Sequence, residues 1–317
     1  MTDFGDVHIS RAIDGAGISG ISCTSKTFRT TYDMEYVPQA GSVVLTGISG
    51  LPTFYIDKRT KSDGIWTVEC LDRAAFLDRP ITGLTASGDT YSMSAVQSRC
   101  AIECGLSSVG LPSAVTSMSV PKSSIDGKTY QQLLQEISEV YCGFFYISGG
   151  TALSFQSFSQ TLDTDTATDW SRIMDNGEFG YGCVNVTNGS RTNKIGSGAF
   201  ELDINNEFAD TTETSLYYSL TQTTFYGWST DSYIGSGVMP QVGARITFDS
   251  TVLRATRLDA HITGNKLVIS AGGDIPQYGE INRKGLLQRR LDDMVSMTKG
   301  YGVMHFAYQD VTVRPNA

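Results

Sequence analysis

Pro38-Gln39-Ala40-Gly41-Ser42-Val43-Val44 is echoed, 202 positions later, by Pro240-Gln241-Val242-Gly243-Ala244-Arg245-Ile246. Without a gap the same offset sets Ile56-Asp57 on Leu258-Asp259, Ile65 on Leu267, Thr67 on Ile269 and Asp72 on Asp274. A register held over about 36 positions points to one β-architecture carried twice, with Pro38, Gln39, Gly41, Asp57 and Asp72 answering Pro240, Gln241, Gly243, Asp259 and Asp274. Upstream the correspondence fails, because the helix read after Asp210 falls on the Gly-rich Ile13 to Ile21, so the two copies differ there.

Around these markers the sequence reads as strands. Val7-Ile9, Ile21-Thr31, Ser42-Leu45, Thr53-Ile56 and Ile65-Cys70 are rich in β-branched and aromatic residues and are separated by Gly, Pro and Asp-Gly turns. Asp72 to Leu77 predicts one helical turn before Pro80. A different period follows. Met93, Val96, Cys100 and Cys104 recur at three- and four-residue steps, with Gly105 placed as a helix stop. Thr129-Tyr130-Gln131-Gln132 matches a capping box, and Tyr130, Leu133, Leu134, Ile137, Val140 and Tyr141 share one helix face that ends at Gly143. Phe144-Ile147, Gly149-Gly150 and Ala152-Phe158 predict a hairpin.

The polar Thr161-Asp169 reads as a linker. Strands resume at Val184-Val186, Lys194-Leu202, Arg245-Phe248, Leu253-Ile262 and Leu267-Ser270, with a capped helix after Asp210 carrying Leu216, Tyr217 and Leu220. Ile281-Lys299 has helical periodicity and Val303-Tyr308 reads as a last strand. The expected fold is therefore mainly β with an α+β insert. Residues 1–82 form a first β-domain, 83–160 a small α+β domain, and 161–317 a second β-domain with helices.

Composition excludes several functions for the 317-residue chain. With 24 Lys and Arg against 33 Asp and Glu, the net charge of −9 repels phosphate backbones, which disfavours gripping nucleic acid. The N-terminus has no basic-then-apolar leader and no run is long and apolar enough to span a bilayer, so the chain is expected to be made in the cytoplasm without membrane insertion. The 6 cysteines lack paired spacing and read as reduced thiols. Cys100 and Cys104 lie one helical turn apart without two further ligands at metal spacing, so no metal or cofactor site is expected.

No catalytic constellation emerges. Gly17-Ile18-Ser19-Gly20 and Gly47-Ile48-Ser49-Gly50 have the second glycine one position too early for a nucleophile elbow. His8, His261 and His305 sit in strand patterns among apolar neighbours. Asp163-Thr164-Asp165 resembles the start of a calcium loop but has Thr168 and Met174 where Gly and Glu belong. A carboxylate pair such as Asp57 and Glu69 stays open as an acid–base site. Phe225, Tyr226, Trp228 and Tyr233 either stack on sugars or fill a core. Arg283, Lys284, Arg289 and Arg290 form one basic cluster, either a solvated face or a contact with an acidic neighbour.

Taken in order, a β-unit ending in Leu71-Asp72-Arg73-Ala74-Ala75-Phe76-Leu77, the capped Tyr130-Leu134 helix, the hairpin after Gly143 and a second β-unit opening on Met239-Pro240-Gln241-Val242-Gly243 resemble the hub proteins of tailed-phage tails and baseplates and of related contractile injection systems. The family's usual Gly-Asp before the barrel strand is here Gly41-Ser42 and Gly243-Ala244. The resemblance implies two tube-type β-barrels flanking the small α+β domain, and a homotrimer whose six barrels form a ring. That ring joins the tail tube protein to the central spike protein within the baseplate, beside the end of the tape-measure protein. It further implies a virion location and no active site; with DNA passing through the ring, the net charge of −9 leads to the expectation of an acidic lumen in which it slides without specific binding. The alternatives are a distal tail or adhesion protein with a carbohydrate-binding module near Trp228, and a tail-associated cell-wall hydrolase.

Overall fold

The computed structural model describes residues 5–14, 19–31, 42–43, 50–158, 164–212, 214–263, 266–274 and 281–282. The chain up to Ile281 forms one compact unit and Asn282–Ala317 a second. Pro38, Gln39, Gly41, the basic cluster Arg283, Lys284, Arg289 and Arg290, His305 and the strand read at Val303-Tyr308 lie outside the described residues. So does most of the helix read over Ile281-Lys299, where the two described residues, Ile281–Asn282, are extended.

Strands β1 (Gly5–Asp14) and β2 (Gly20–Thr30) are antiparallel and longer at β1 than the Val7-Ile9 core of the pattern. Next to β2 lies β5 (Ile65–Leu71), then β4 (Phe54–Ser62), then the two-residue β3 (Ser42–Val43). The β4–β5 hairpin turns on Asp63-Gly64, both at positive φ (51° and 78°), which is what a tight two-residue hairpin requires. A register shift between Ile56 and Lys58 makes Asp57 a bulge. After β5, Asp72 caps a 3₁₀ turn over Arg73–Leu77, as the sequence predicts.

The insert follows its sequence pattern closely, because its signals are local. Short strands β6 (Thr90–Ser92), β7 (Ser108–Val109) and β8 (Ser119–Pro121) and the single turn α2 (Ser113–Thr116) surround α1 (Met93–Cys104). Helix α1 stops at Gly105 in the left-handed region, and Met93, Val96, Cys100 and Cys104 are buried. Helix α3 (Tyr130–Val140) starts with the complete Thr129–Gln132 capping box. Its end differs from expectation: Cys142, not Gly143, takes the positive φ, and Gly143 opens β9 (Gly143–Ser148). A side chain at Gly143 would collide with the Gln156 carbonyl and the Phe155 ring on β10 (Ala152–Ser157), so the glycine is needed for close strand approach.

The polar stretch after the insert is structure and not a linker from Thr164 onward. Strand β11 (Thr164–Thr166) pairs in parallel with β18 (Arg245–Phe248), which also pairs with β19 (Thr251–Arg254). Strands β12 (Asp169–Trp170) and β13 (Ile173–Phe179) lie along the same side of β17 (Phe225–Ile234). Between β13 and β17 the chain inserts β14 (Cys183–Asn188), β15 (Arg191–Gly196), β16 (Glu201–Asn205) and α4 (Thr214–Thr221). The single strand read over Lys194-Leu202 is thus broken, at Gly196, whose φ is 88°. The strand read over Leu253-Ile262 is broken at Ala255-Thr256, giving β19 and then β20 (Arg257–Thr263), which pairs with β21 (Lys266–Gly273).

The main sheet has 13 strands: nine follow the path β12-β17-β21-β20-β1-β2-β5-β4-β3, β13 branches from β17, and β9, β10 and β7 follow one another off β2. Among the described residues the sheets do not close on themselves, where the sequence led to expect two barrels. The physical reason is that β1, an edge available for closing the first unit, pairs with β20 of the second. Both groups of strands consequently share one apolar cluster, running from Val7, Ile9, Phe28 and Val68 to Trp228, Ile246, Leu258 and Ile269. The insert and the segment between β13 and β17 share the other, from Met93, Leu133 and Phe145 to Val186, Ile204 and Tyr217.

Candidate functional site

The seam between β1 and β20 is where the two β-units meet, with Val7 opposite Ile262 through Ala12 opposite Arg257 in antiparallel register. Residues alternate across a strand, so Val7, Ile9 and Arg11 point to one face. Arg11 is fully buried. Its Nε donates to Thr24 Oγ1 at 3.1 Å, one terminal nitrogen to the carbonyls of Pro240 (2.6 Å) and Met239 (3.3 Å), and the other to the Gly50 carbonyl (2.5 Å). One planar, forked donor therefore ties β1 and β2 to two chain reversals, one of them the marker Pro240. Burial pulls the Arg11 guanidinium down to about 10, a cost partly offset by the charge of Asp72.

Asp72 is also fully buried and accepts from the Thr24 amide (2.8 Å), the Ala74 amide (2.8 Å) and the Cys23 thiol (3.4 Å). Burial raises its pKa, and these donors act in the opposite direction. Its counterpart Asp274 is exposed and exchanges two bonds with the Thr256 hydroxyl, which donates to Asp274 Oδ2 at 2.9 Å and accepts from the Asp274 amide at 3.0 Å. Gln241 and Ala244 close a turn by a 3.1 Å backbone bond, with Gly243 at φ 79° in its third position; that is why the motif ends in glycine. Gln241 Nε2 reaches the Ile147 carbonyl at 3.5 Å. Of the marker residues, then, the structure brings Pro240, Gln241 and Asp72 to the seam region, leaves Asp57 and Asp274 exposed, and puts Asp259 3.8 Å from His8 Nε2.

Other candidate chemistry resolves into packing. His8 and His261 face each other across the seam with ring centroids 4.5 Å apart. Glu69 is 3.6 Å from Lys58, and both are well exposed. Asp165 is not a solvated linker carboxylate: it is buried and accepts from the Tyr233 hydroxyl (3.3 Å) and the Ser236 amide (3.0 Å), pinning β11 to the end of β17. Phe225, Trp228 and Tyr233 are buried and only Tyr226 of that aromatic set is exposed, which removes the stacking surface a carbohydrate module needs. Among the described residues no group of three His, Cys, Asp or Glu is placed to hold a metal. No described helix is long and apolar enough to cross a membrane.

Arg11 and Lys26 are the residues that sequence reading missed. Lys26 is buried between the rings of Phe28 (4.8 Å) and Phe54 (5.6 Å), and burial lowers it to about 8. Strand parity carries the signal: Arg11 is in phase with Val7 and Ile9, and Lys26 with Phe28.

No family model and no curated protein matches the chain. Solved structures do. The 43 kDa tail protein of prophage MuSo2 from Shewanella oneidensis is 12% identical over 86% of this chain and 94% of its own, with a TM-score of 0.50. A tail protein from Neisseria meningitidis is 13% identical over 85% and 91%, with a TM-score of 0.52. The prophage tail protein gp18 from Listeria monocytogenes EGD-e is 11% identical over 86% and 90%, with a TM-score of 0.53. Over more than four-fifths of its length, this chain has the fold of these tail proteins.

Proposed function

We propose that the chain is a structural hub of a phage-like tail or baseplate, in which three copies form a ring of six similar β-units. The observation that carries this reading is the strand order. In the first unit it runs β1-β2-β5-β4, in the second β13-β17-β21-β20, each a long strand flanked by an antiparallel strand from earlier in the chain and by a two-strand hairpin from further along it. The β4–β5 and β20–β21 hairpins fall close to the 202-residue offset. Where the first unit joins β1 to β2 directly, the second carries β14 to α4, which accounts for the upstream failure of the repeat.

Six similar units in three chains give a ring that matches both a six-fold tube and a three-fold spike. In this reading the tail tube protein sits on one face and the spike on the other, the tape-measure protein ends nearby, and DNA slides through a lumen whose excess carboxylates repel phosphate. The hub performs no catalysis. Native mass measurement with tube and spike partners present tests it: the expected species contains three chains of 34.3 kDa. A persistent monomer or dimer removes the reading.

A further inference from the structure

Two Asn-Gly pairs stand in the chain, Asn176-Gly177 and Asn188-Gly189. Glycine has no side chain to shield its backbone nitrogen, so in such a pair that nitrogen can reach the carboxamide carbon of the preceding asparagine. The fold treats the two pairs in opposite ways.

Asn188 ends β14, and Gly189 follows at φ 61° in the turn to β15. Its side-chain nitrogen donates to the Glu207 carbonyl at 3.1 Å and to the Ala209 carbonyl at 2.8 Å. Both bonds must break before the carboxamide can turn towards Gly189, and the nitrogen they hold is the one that would have to leave. Asn176 is placed differently. In β13 the register shifts between Asp175, opposite Trp228, and Glu178, opposite Tyr226, so Asn176 and Gly177 together face the single residue Gly227 in a bulge. Asp175, Asn176, Gly177 and Glu178 are all exposed. No hydrogen bond to a described residue ties the Asn176 carboxamide. The Gly177 amide donates to Asp175 Oδ1 at 2.8 Å, which is within reach for proton transfer.

We propose that this bulge is a self-modification site, at which Asn176 deamidates in the folded chain with Asp175 as the proton acceptor, while Asn188 is protected. The Gly177 nitrogen attacks Cγ of Asn176 and gives up its proton to the Asp175 carboxylate. A bond forms between that nitrogen and Cγ, the bond from Cγ to Nδ2 breaks, and Nδ2 takes the proton from Asp175 and leaves as ammonia. Water then opens the succinimide ring at either carbonyl, giving aspartate or isoaspartate at position 176. No oxidant or cofactor is consumed. Each event places a new carboxylate between Asp175 and Glu178, and the isoaspartate product lengthens the backbone by one carbon. The bulge absorbs that carbon, because the paired residues Asp175 and Glu178 lie on either side of it.

The test uses the full wild-type chain, incubated at physiological temperature and mildly alkaline pH, once folded and once in urea. Cleavage after Glu178 puts the two asparagines on separate peptides, conversion adds about 1 Da to either, and isoaspartyl methyltransferase labels the isoaspartate. In the folded chain Asn176 should convert about tenfold or more faster than Asn188, whose two hydrogen bonds must break first. In urea that protection is gone, and the two rates should fall within about threefold of each other. Asp175→Ser keeps an acceptor for the Gly177 amide but removes the base, so conversion should slow several-fold with the melting temperature unchanged. Equal rates at the two asparagines of the folded chain, or an Asn176 that reacts only in urea, overturns the proposal. Unchanged conversion in folded Asp175→Ser overturns the role given to Asp175. The comparison of folded chain with urea needs no variant, so it decides even where Asp175→Ser does not fold.

Discussion

Replacing Arg11 by Met keeps most of the buried aliphatic volume and removes the fork that joins the two β-units. Four acceptors lose their donor: Thr24 Oγ1 and the carbonyls of Gly50, Met239 and Pro240. At roughly 1.5 kcal/mol for each bond to a charged donor, the low end of the usual range, the loss is about 6 kcal/mol. Against this, the substitution relieves the burial cost that pulls Arg11 from 12.5 to about 10, worth about 3 kcal/mol at roughly 1.4 kcal/mol per pH unit. The net expected destabilisation is about 3 kcal/mol. For a chain of this size that lowers the melting temperature by about 5 °C, at roughly 2 cal/mol/K of unfolding entropy per residue. Differential scanning calorimetry at neutral pH gives the number, and Arg11→Lys should fall well short of rescue, because an ammonium cannot reach four acceptors spread over a plane. Melting of Arg11→Met within about 1 °C of wild type would refute the claim that this side chain holds the seam.

Lys26→Met should stabilise the fold at neutral pH by up to about 3 kcal/mol, since the native state holds this amine at about 8 rather than 10.5. The sign follows from proton binding. Below pH 8 both states are charged and the full burial cost is present; between 8 and 10.5 the unfolded chain binds the extra proton, so stability rises with pH and the cost is gone above that window. Denaturant titrations of wild type and Lys26→Met should converge across it, and parallel curves would contradict this account. Asp72→Ala strands the buried Thr24 and Ala74 amides and should cost about 2–3 kcal/mol, read by urea denaturation. Gly143→Ala drives a methyl into the Gln156 carbonyl and should cost about 2 kcal/mol or more, with loss of soluble expression as the coarse sign. Peptidoglycan-release and glycan-hydrolysis assays of the purified chain should show no turnover; activity abolished by one point substitution would reverse the reading of a non-catalytic hub.

How much was legible depended on the range over which each signal acts. Thr129 and Gln132 cap α3, Gly105 stops α1 and Asp72 opens its helical turn because each needs only neighbours within a few residues, and the sequence by itself determined all of these. It also indicated strands at Thr53-Ile56, Ile65-Cys70 and Leu267-Ser270, where β4, β5 and β21 lie. Strand β13 was invisible, since Asp175, Asn176, Gly177 and Glu178 face solvent along an edge and carry no alternation. Asp165 read as linker because its burial depends on Tyr233 and Ser236, some 70 residues away. Tertiary structure alone decided that β1 pairs with β20 across some 250 residues of chain, joining two units expected as separate barrels into one sheet. Pairing of that kind is set by which edges are left open once the local elements have formed. That is also why a buried arginine at the junction, polar by type and apolar by phase, is explained only by the carbonyls that the fold brings to it.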